Sequence, residues 1–262
     1  MQYHININTG DVGRYVLLPG DPGRCESIAM HFDNPRFVAS HREYTTYTGE
    51  LFGELVSVVS TGIGGASTSI AVEELVKCGA DTFIRVGTCG AMQPEIPVND
   101  VIIANSAIRF DGTSKEYIPV EFPAVAHFEV LSALNAASIE ESYTHRTHMG
   151  VVQCKDSFYG QHDPARMPIS NELLWKWNAW IKGGALASEM ESATLFILGS
   201  ILRLRTGAVL SVAGNQAVGT GVANAVKPGT SSKVSEFLGT EPAIDLAVRA
   251  IKILIKKDKE QS

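Results

Sequence analysis

Three apolar, strand-like runs in the first third of the chain each break into a glycine-rich turn: PGDPGR (19–24), TGIGGAS (61–67) and RVGTCGA (85–91). Such turns restrict what the chain can fold into. Glycine lets the backbone pass close to a neighbour or ligand, and free N–H groups at a following helix start favour an anion. A chain that repeats strand, glycine turn and helix lays its strands side by side with helices across their faces. None of the three is a recognised nucleotide loop. GxxxxGK[ST] is absent, and GIGGAS fails GxGxxG because Ser67 stands at the last glycine position.

The remaining pattern agrees. YVLLPG (15–20) reads as a strand, and 44–62 as a hairpin with a Phe-Gly-Glu turn. Strands are expected at 82–87, 100–108, 149–154 and 206–215. Helices are expected at 67–79, 129–141, 169–181, 189–204 and from about Glu241 to Lys257, with Trp175 and Trp177 partly buried. The segment 155–168 reads as a loop with a few core aromatics. This alternation predicts an α/β sandwich on a mixed sheet, and 262 residues at 45% hydrophobic content supply one core.

Charge narrows the function. A net charge of −6 argues against a general nucleic-acid binder. It also means that an anionic substrate must be captured by local arginines and backbone amides. The opening MQYHININTG lacks a basic and an apolar region, so no signal peptide is expected. No apolar run reaches the ~18 residues of a membrane helix. Cys25, Cys78, Cys89 and Cys154 lie far apart without a CxxC, the pattern of reduced thiols in a cytoplasmic protein. His145 and His148 have no acidic or cysteine cluster beside them, which argues against zinc.

Arginines sharpen the glycine turns. Arg85 interrupts an apolar strand, where an unpaired cation is costly, so it calls for an anion. Arg24 follows the first turn, and Arg42 lies in SHREYTTY; either one alone reads as a surface residue paired with an acid. A planar guanidinium suits bidentate contact with phosphate oxygens. In ASEMESATLF (187–196), Glu189 and Glu191 flank Met190 where an apolar helix is expected to begin. Residues two apart on a helix point roughly 200° apart, so these carboxylates are expected to face different ways. One could enter a site while the other makes structural bonds, or both could be first-turn acids favoured by the helix dipole. In KDSFYGQHDPARMP (155–168), Phe158 could stack on a flat ring, and Gln161 offers a donor and an acceptor to the edge of a base.

Together, PGDPGR, SHREYTTYTG, STGIGGASTSIAVEEL, RVGTCGAM, EFPAVAHFE, FYGQH and SEMESATL resemble, in order, the nucleoside phosphorylase-I family. The resemblance implies a single domain over 1–262, a three-layer α/β/α fold with a mixed central sheet. It implies reversible phosphorolysis of uridine to uracil and ribose 1-phosphate, with inorganic phosphate as co-substrate and no organic cofactor. Gly20, Arg24, Arg85 and Thr88 would hold phosphate, with Arg42 donated by a neighbouring subunit. Met190 and Glu191 would hold the ribose, and His4 of a neighbour would meet its 5′-hydroxyl. Phe158 and Gln161 would meet the base, making Arg85, Glu191 and Gln161 the catalytic set. Glu43, Ile63 and Ser67 match positions that bind a monovalent cation such as potassium between subunits in some members. Sites shared in this way imply a homo-oligomer, commonly a hexamer built as a trimer of dimers.

Departures fall at the base. Purine-cleaving relatives place an Asp after the final buried strand, but SVAGNQAVG (211–219) has no acid, which favours pyrimidines. Pyrimidine-cleaving members often carry an Arg where Gln216 stands, and a second Arg where Asp163 stands; Arg166 is expected to reach back in its place. Cys89 replaces a common Thr. The competing readings are a purine phosphorylase, a hydrolytic nucleosidase and a non-catalytic nucleoside-binding relative.

Overall fold

The computed structural model describes residues 1–141, 143–221 and 239–261. Its strands are β1 (Tyr15–Pro19), β2 (Asp33–His41), β3 (Tyr44–Leu51), β4 (Glu54–Val59), β5 (Thr82–Ala91), β6 (Val101–Phe110), β7 (Ala124–Val125), β8 (Thr147–Lys155), β9 (Ala187–Glu189), β10 (Arg205–Asn215) and β11 (Thr220–Gly221). Its helices are α1 (Cys25–Ala29), α2 (Gly65–Lys77), α3 (Thr113–Tyr117), α4 (Phe128–Glu140), α5 (Phe158–His162), α6 (Ser170–Lys182), α7 (Ser192–Leu202) and α8 (Glu241–Gln261).

All described strands join one mixed sheet in the order β11-β10-β6-β8-β9-β5-β1-β4-β3-β2, with β7 on β6. β5 also pairs with β10 along its whole length, so β5, β10, β6, β8 and β9 close into a ring. β1 covers only the Thr82–Val86 half of β5; farther along, Gly90 and Ala91 pair with β9 instead. The strand therefore changes partner at its carboxyl end, and a crevice opens there. Ligands in α/β folds bind at such switch points.

Alternation along the strands builds two cores. Val16, Leu18 and Phe83 pack on one face with Ala71, Val72 and Leu75 of α2 and Leu195 to Leu198 of α7. Tyr15, Leu17, Ile84 and Val86 pack on the other with Ile28 of α1, Leu134 of α4 and Ile244, Ile251 and Leu254 of α8. These layers make the expected three-layer α/β/α architecture. α2 ends as its sequence suggests: Gly79 takes φ +103°, its N–H donates to Val76 O, and Ala80 N–H donates to Leu75 O, a Schellman stop. The expected hairpin is β3–β4, turning at Phe52 and Gly53, both at positive φ. α8 is fastened by Asp258, which accepts two guanidinium bonds from Arg205 at 2.7 and 2.9 Å and the Tyr15 hydroxyl at 2.6 Å. Among the described residues no helix is long and apolar enough to cross a membrane.

Three expectations need correction. The helix expected from Glu189 starts at Ser192, because Ala187–Glu189 extend as β9 and Glu191 sits at the N-cap position with φ −131°. The segment 155–168 contains α5, whose Ser157 Oγ accepts the Gly160 N–H. Trp175 is 69% exposed, since α6 lies on the outside with no buried residue; Trp177 is half-buried.

Candidate active site

A cleft of about 710 Å³ occupies the crevice at the carboxyl ends of the strands. Gly20 and Arg24 reach it from the turn after β1, Gly62 and Ile63 from the turn after β4, and Thr88 and Cys89 from the half of β5 that β1 leaves uncovered. Lys155, Phe158 and His162 come from the end of β8 and from α5. Met190 and Glu191 follow β9, and Gly214 and Gln216 close the end of β10.

One end of the cleft holds two arginines. Arg85 is 5% exposed and shares its strand face with Phe83, so its guanidinium lies on the α7 side of the sheet. Its anions are two carboxylates of the chain itself. Nε donates to Glu189 at 2.9 Å, and Nη2 pairs with Glu191 at 2.6 Å. Glu189 and Glu191 thus converge on one cation, where a helix would have turned them apart; the turn between β9 and α7 makes this possible. Glu189 also accepts the backbone N–H of Glu191 and Ser192, and Glu191 accepts the Gly64 N–H. Burial pulls the Arg85 pKa down, but the two carboxylates outweigh it and raise it; burial pushes Glu191 up, against the pull of Arg85.

Arg85 Nη1 has no protein partner among the described residues and lies beside Gly20: a Cβ there would sit 3.9 Å from it. Gly87 leaves room for the guanidinium, because a Cβ there would meet Nη2 at 2.6 Å. Arg24 stands close by, only loosely held by Asp21 at 3.8 Å. Burial lowers its pKa, and the Arg85 charge lowers it further against the opposing pull of Asp21. Two guanidiniums with free N–H groups beside a glycine turn have the chemistry to hold an anion.

The other end is aromatic and amide-rich. Phe158 stacks on His162 with ring centres 4.1 Å apart. Gln216 Oε1 accepts from Gln161 Nε2 at 3.0 Å, and Gln216 Nε2 lies 3.3 Å from His162 Nε2. Burial and the neighbouring Lys155 charge push His162 down to about 4, so its ring is neutral near pH 7. Lys155 is 3% exposed; its Nζ donates to Ser188 Oγ at 2.7 Å and lies 5.9 Å from the Phe158 ring centre. Burial brings it down to about 8, with Glu189 and Glu191 opposing. Among the described residues no carboxylate stands at the end of β10, where Ala213, Gly214 and Gln216 line the wall.

Residues 14–239 match the model of the Phosphorylase superfamily. The chain belongs to this superfamily. It is 55% identical to a uridine phosphorylase of Treponema pallidum over 98% of this chain and 95% of that protein. It is 44% identical to a uridine phosphorylase of Thermococcus kodakarensis, over 100% and 89% of the two chains. It is also 39% identical to a guanosine phosphorylase of Halorubrum lacusprofundi, over 83% and 85%.

Of the residues singled out in this phosphorylase sequence, Gly20, Arg24, Arg85, Thr88, Met190, Glu191, Phe158 and Gln216 meet in the cleft, with Glu43 and Ile63 at its wall. Gln161 lies just behind, its Oε1 accepting from Ser188 Oγ at 2.8 Å while its Nε2 holds Gln216. Arg166 does not reach back: its side chain is 58% exposed and pairs with Asp163 at 3.2 Å. The i,i+3 spacing on a single 3-10 turn brings this acid close enough to hold it outside. His4 and Arg42 do not line the cleft of their own chain. Glu43 and Ser67 are brought together around Gly62, and Ser67 Oγ donates to Ile63 O at 3.2 Å.

Lys155, His162 and Ser188 escaped the sequence reading. Lys155 carried the same signal as Arg85, a cation closing an apolar strand, but the strand was expected to end one residue earlier, at Cys154.

Proposed function

We propose that this superfamily member catalyses the reversible phosphorolysis of uridine to uracil and ribose 1-phosphate. The observation that carries the reading is a single cleft with two arginines at one end and an aromatic, amide and ammonium wall at the other, with a carboxylate between them. Phosphate is held by Arg24, Arg85, Thr88 and the Gly20 turn, with Arg42 supplied by a second copy. Glu191 leaves Arg85 to accept the ribose 2′- and 3′-hydroxyls, beside Met190, and His4 of a second copy meets the 5′-hydroxyl. Phe158 stacks on the base, while Gln216, held from behind by Gln161, presents its amide to the base edge.

The chemistry follows from this placement. The C1′–N1 bond breaks with its electron pair going to uracil, and a phosphate oxygen bonds to C1′. Phosphate below the ring stabilises the cationic sugar. Charge gathers on the uracil carbonyls, where Lys155 supplies an ammonium in place of the expected Arg166. The uracil anion then takes a proton from solvent.

Donors at Glu43, Ile63 O and Ser67 suit a weakly held monovalent cation, and cross-donation by His4 and Arg42 requires a homo-oligomer, for which a hexamer is the family precedent. Four buried free thiols fit a cytoplasmic location.

The guanosine phosphorylase relative motivates the test: release of free base from uridine, inosine and guanosine, each with phosphate. Uracil release exceeding purine release by about 100-fold or more is expected, since no acid for the purine ring stands among the described residues at the end of β10 and a mismatched base leaves buried polar groups unpaired. Comparable or faster purine release would overturn the pyrimidine assignment.

A further inference from the structure

The segment 2–7 is tied down, and one side chain does most of the tying. Glu74, on α2, is 8% exposed. Its carboxylate accepts the backbone N–H of His4 at 3.0 Å, the backbone N–H of Ile5 at 3.0 Å, and lies 2.7 Å from His4 Nδ1. Further contacts fix the same segment. Ile5 and Ile7 are fully buried, and Gln2 N–H donates to Ile7 O at 2.8 Å. His41 Nδ1 lies 2.8 Å from His4 O, the Tyr3 ring stands edge-on to the His4 ring at 4.8 Å, and the Arg42 guanidinium lies 5.8 Å from the Tyr3 ring centre. The result is a half-buried imidazole in a fixed orientation. His4 Nε2 has no hydrogen-bond partner among the described residues and does not line the chain's own cleft.

We propose that Glu74 is a positioning residue for the 5′-hydroxyl subsite: it fixes the His4 ring so that Nε2 is presented as an acceptor to the ribose bound by a second copy. This rests on the reading of His4 given above. A carboxylate facing Nδ1 makes that nitrogen the protonated one and leaves the Nε2 lone pair free, which is how a buried acid sets an imidazole tautomer. The same carboxylate holds the backbone on either side of the ring's own Cα, so orientation and tautomer depend on one group. Burial raises the Glu74 pKa, but its bonds to His4 and Ile5 bring it below the ordinary carboxylate value, so it is ionised wherever the ring is needed. Glu74→Gln keeps the volume but leaves a single oxygen facing three N–H donors, so the ring loses its fixed partner.

The test compares kcat/KM for uridine and 5′-deoxyuridine in the unmodified protein, His4→Ala, Glu74→Gln and the double variant. One hydrogen bond to the hydroxyl gives a uridine preference of roughly 10-fold in the unmodified protein. The preference is expected to drop below about threefold in both single variants, and the double variant is expected to be no worse than the single ones, the signature of coupled groups. A merely structural role would lower both substrates together and leave the ratio intact. That result in Glu74→Gln, with the ratio lost in His4→Ala, overturns the proposal. An unchanged ratio in His4→Ala, with uridine still cleaved, overturns it by removing His4 from the subsite while the reading of the reaction stands. Absence of uridine turnover in the unmodified protein instead defeats the reading of the reaction.

Discussion

Lys155→Met lowers kcat for uridine phosphorolysis by about 10²–10³-fold, the usual loss when one preorganised donor to a developing anion is removed. The substitution keeps the length and apolar stem of the side chain. Ser188 keeps its bonds to Gln153 and Gln161, so the wall stays in place. What disappears is a buried positive charge beside Phe158. Two further readouts separate charge stabilisation from packing. Lys155 titrates at about 8 because burial disfavours its ammonium. It is charged below that pH and neutral above it, so kcat/KM falls as pH rises through about 8, and the Met variant lacks this alkaline limb. The loss also shrinks with 5-fluorouridine, whose better leaving group needs less stabilisation. A loss under 10-fold, or an alkaline limb that persists in the variant, would contradict the assignment.

Arg85→Ala abolishes most phosphorolysis, by about 10³-fold on the scale of a lost charged donor, and it also destabilises the fold. Arg85 is the partner of two carboxylates, both nearly inaccessible. Breaking a buried pair costs about 3–5 kcal/mol because a charge is left uncompensated. Arg85→Lys therefore separates the two effects. It keeps a charge between Glu189 and Glu191 but loses the fork that can serve a carboxylate and phosphate together. Thermal unfolding close to the unmodified protein, with KM for phosphate raised at least tenfold, is the expected result for the Lys variant. Normal phosphate dependence in Arg85→Lys would mean that Arg85 serves only the two glutamates.

What the sequence revealed and what it hid have physical causes. Glycine turns and apolar runs are local signals, so the cleft's glycines, Arg24 and Arg85 stood out. The closure of the ring did not, because β5 and β10 pair across more than a hundred intervening residues, and no local pattern encodes that register. The convergence of Glu189 and Glu191 was hidden by a helix start misplaced by three residues: on a strand-to-turn path their carboxylates meet, on a helix they part. Arg166 looked available because its ion pair with Asp163 depends on a tight turn that a loop reading does not foresee. Glu74 gave no signal at all. Its meaning lies in a segment seventy residues earlier in the chain that folds back onto it.

The most direct test of the account is the fate of the sugar when uridine is cleaved with and without inorganic phosphate. Strict dependence of uracil release on phosphate, with ribose 1-phosphate as the sugar product, is the predicted result. Uracil release at an undiminished rate without phosphate, yielding free ribose, would mean that water is the acceptor and that Arg24 and Arg85 serve something other than phosphate.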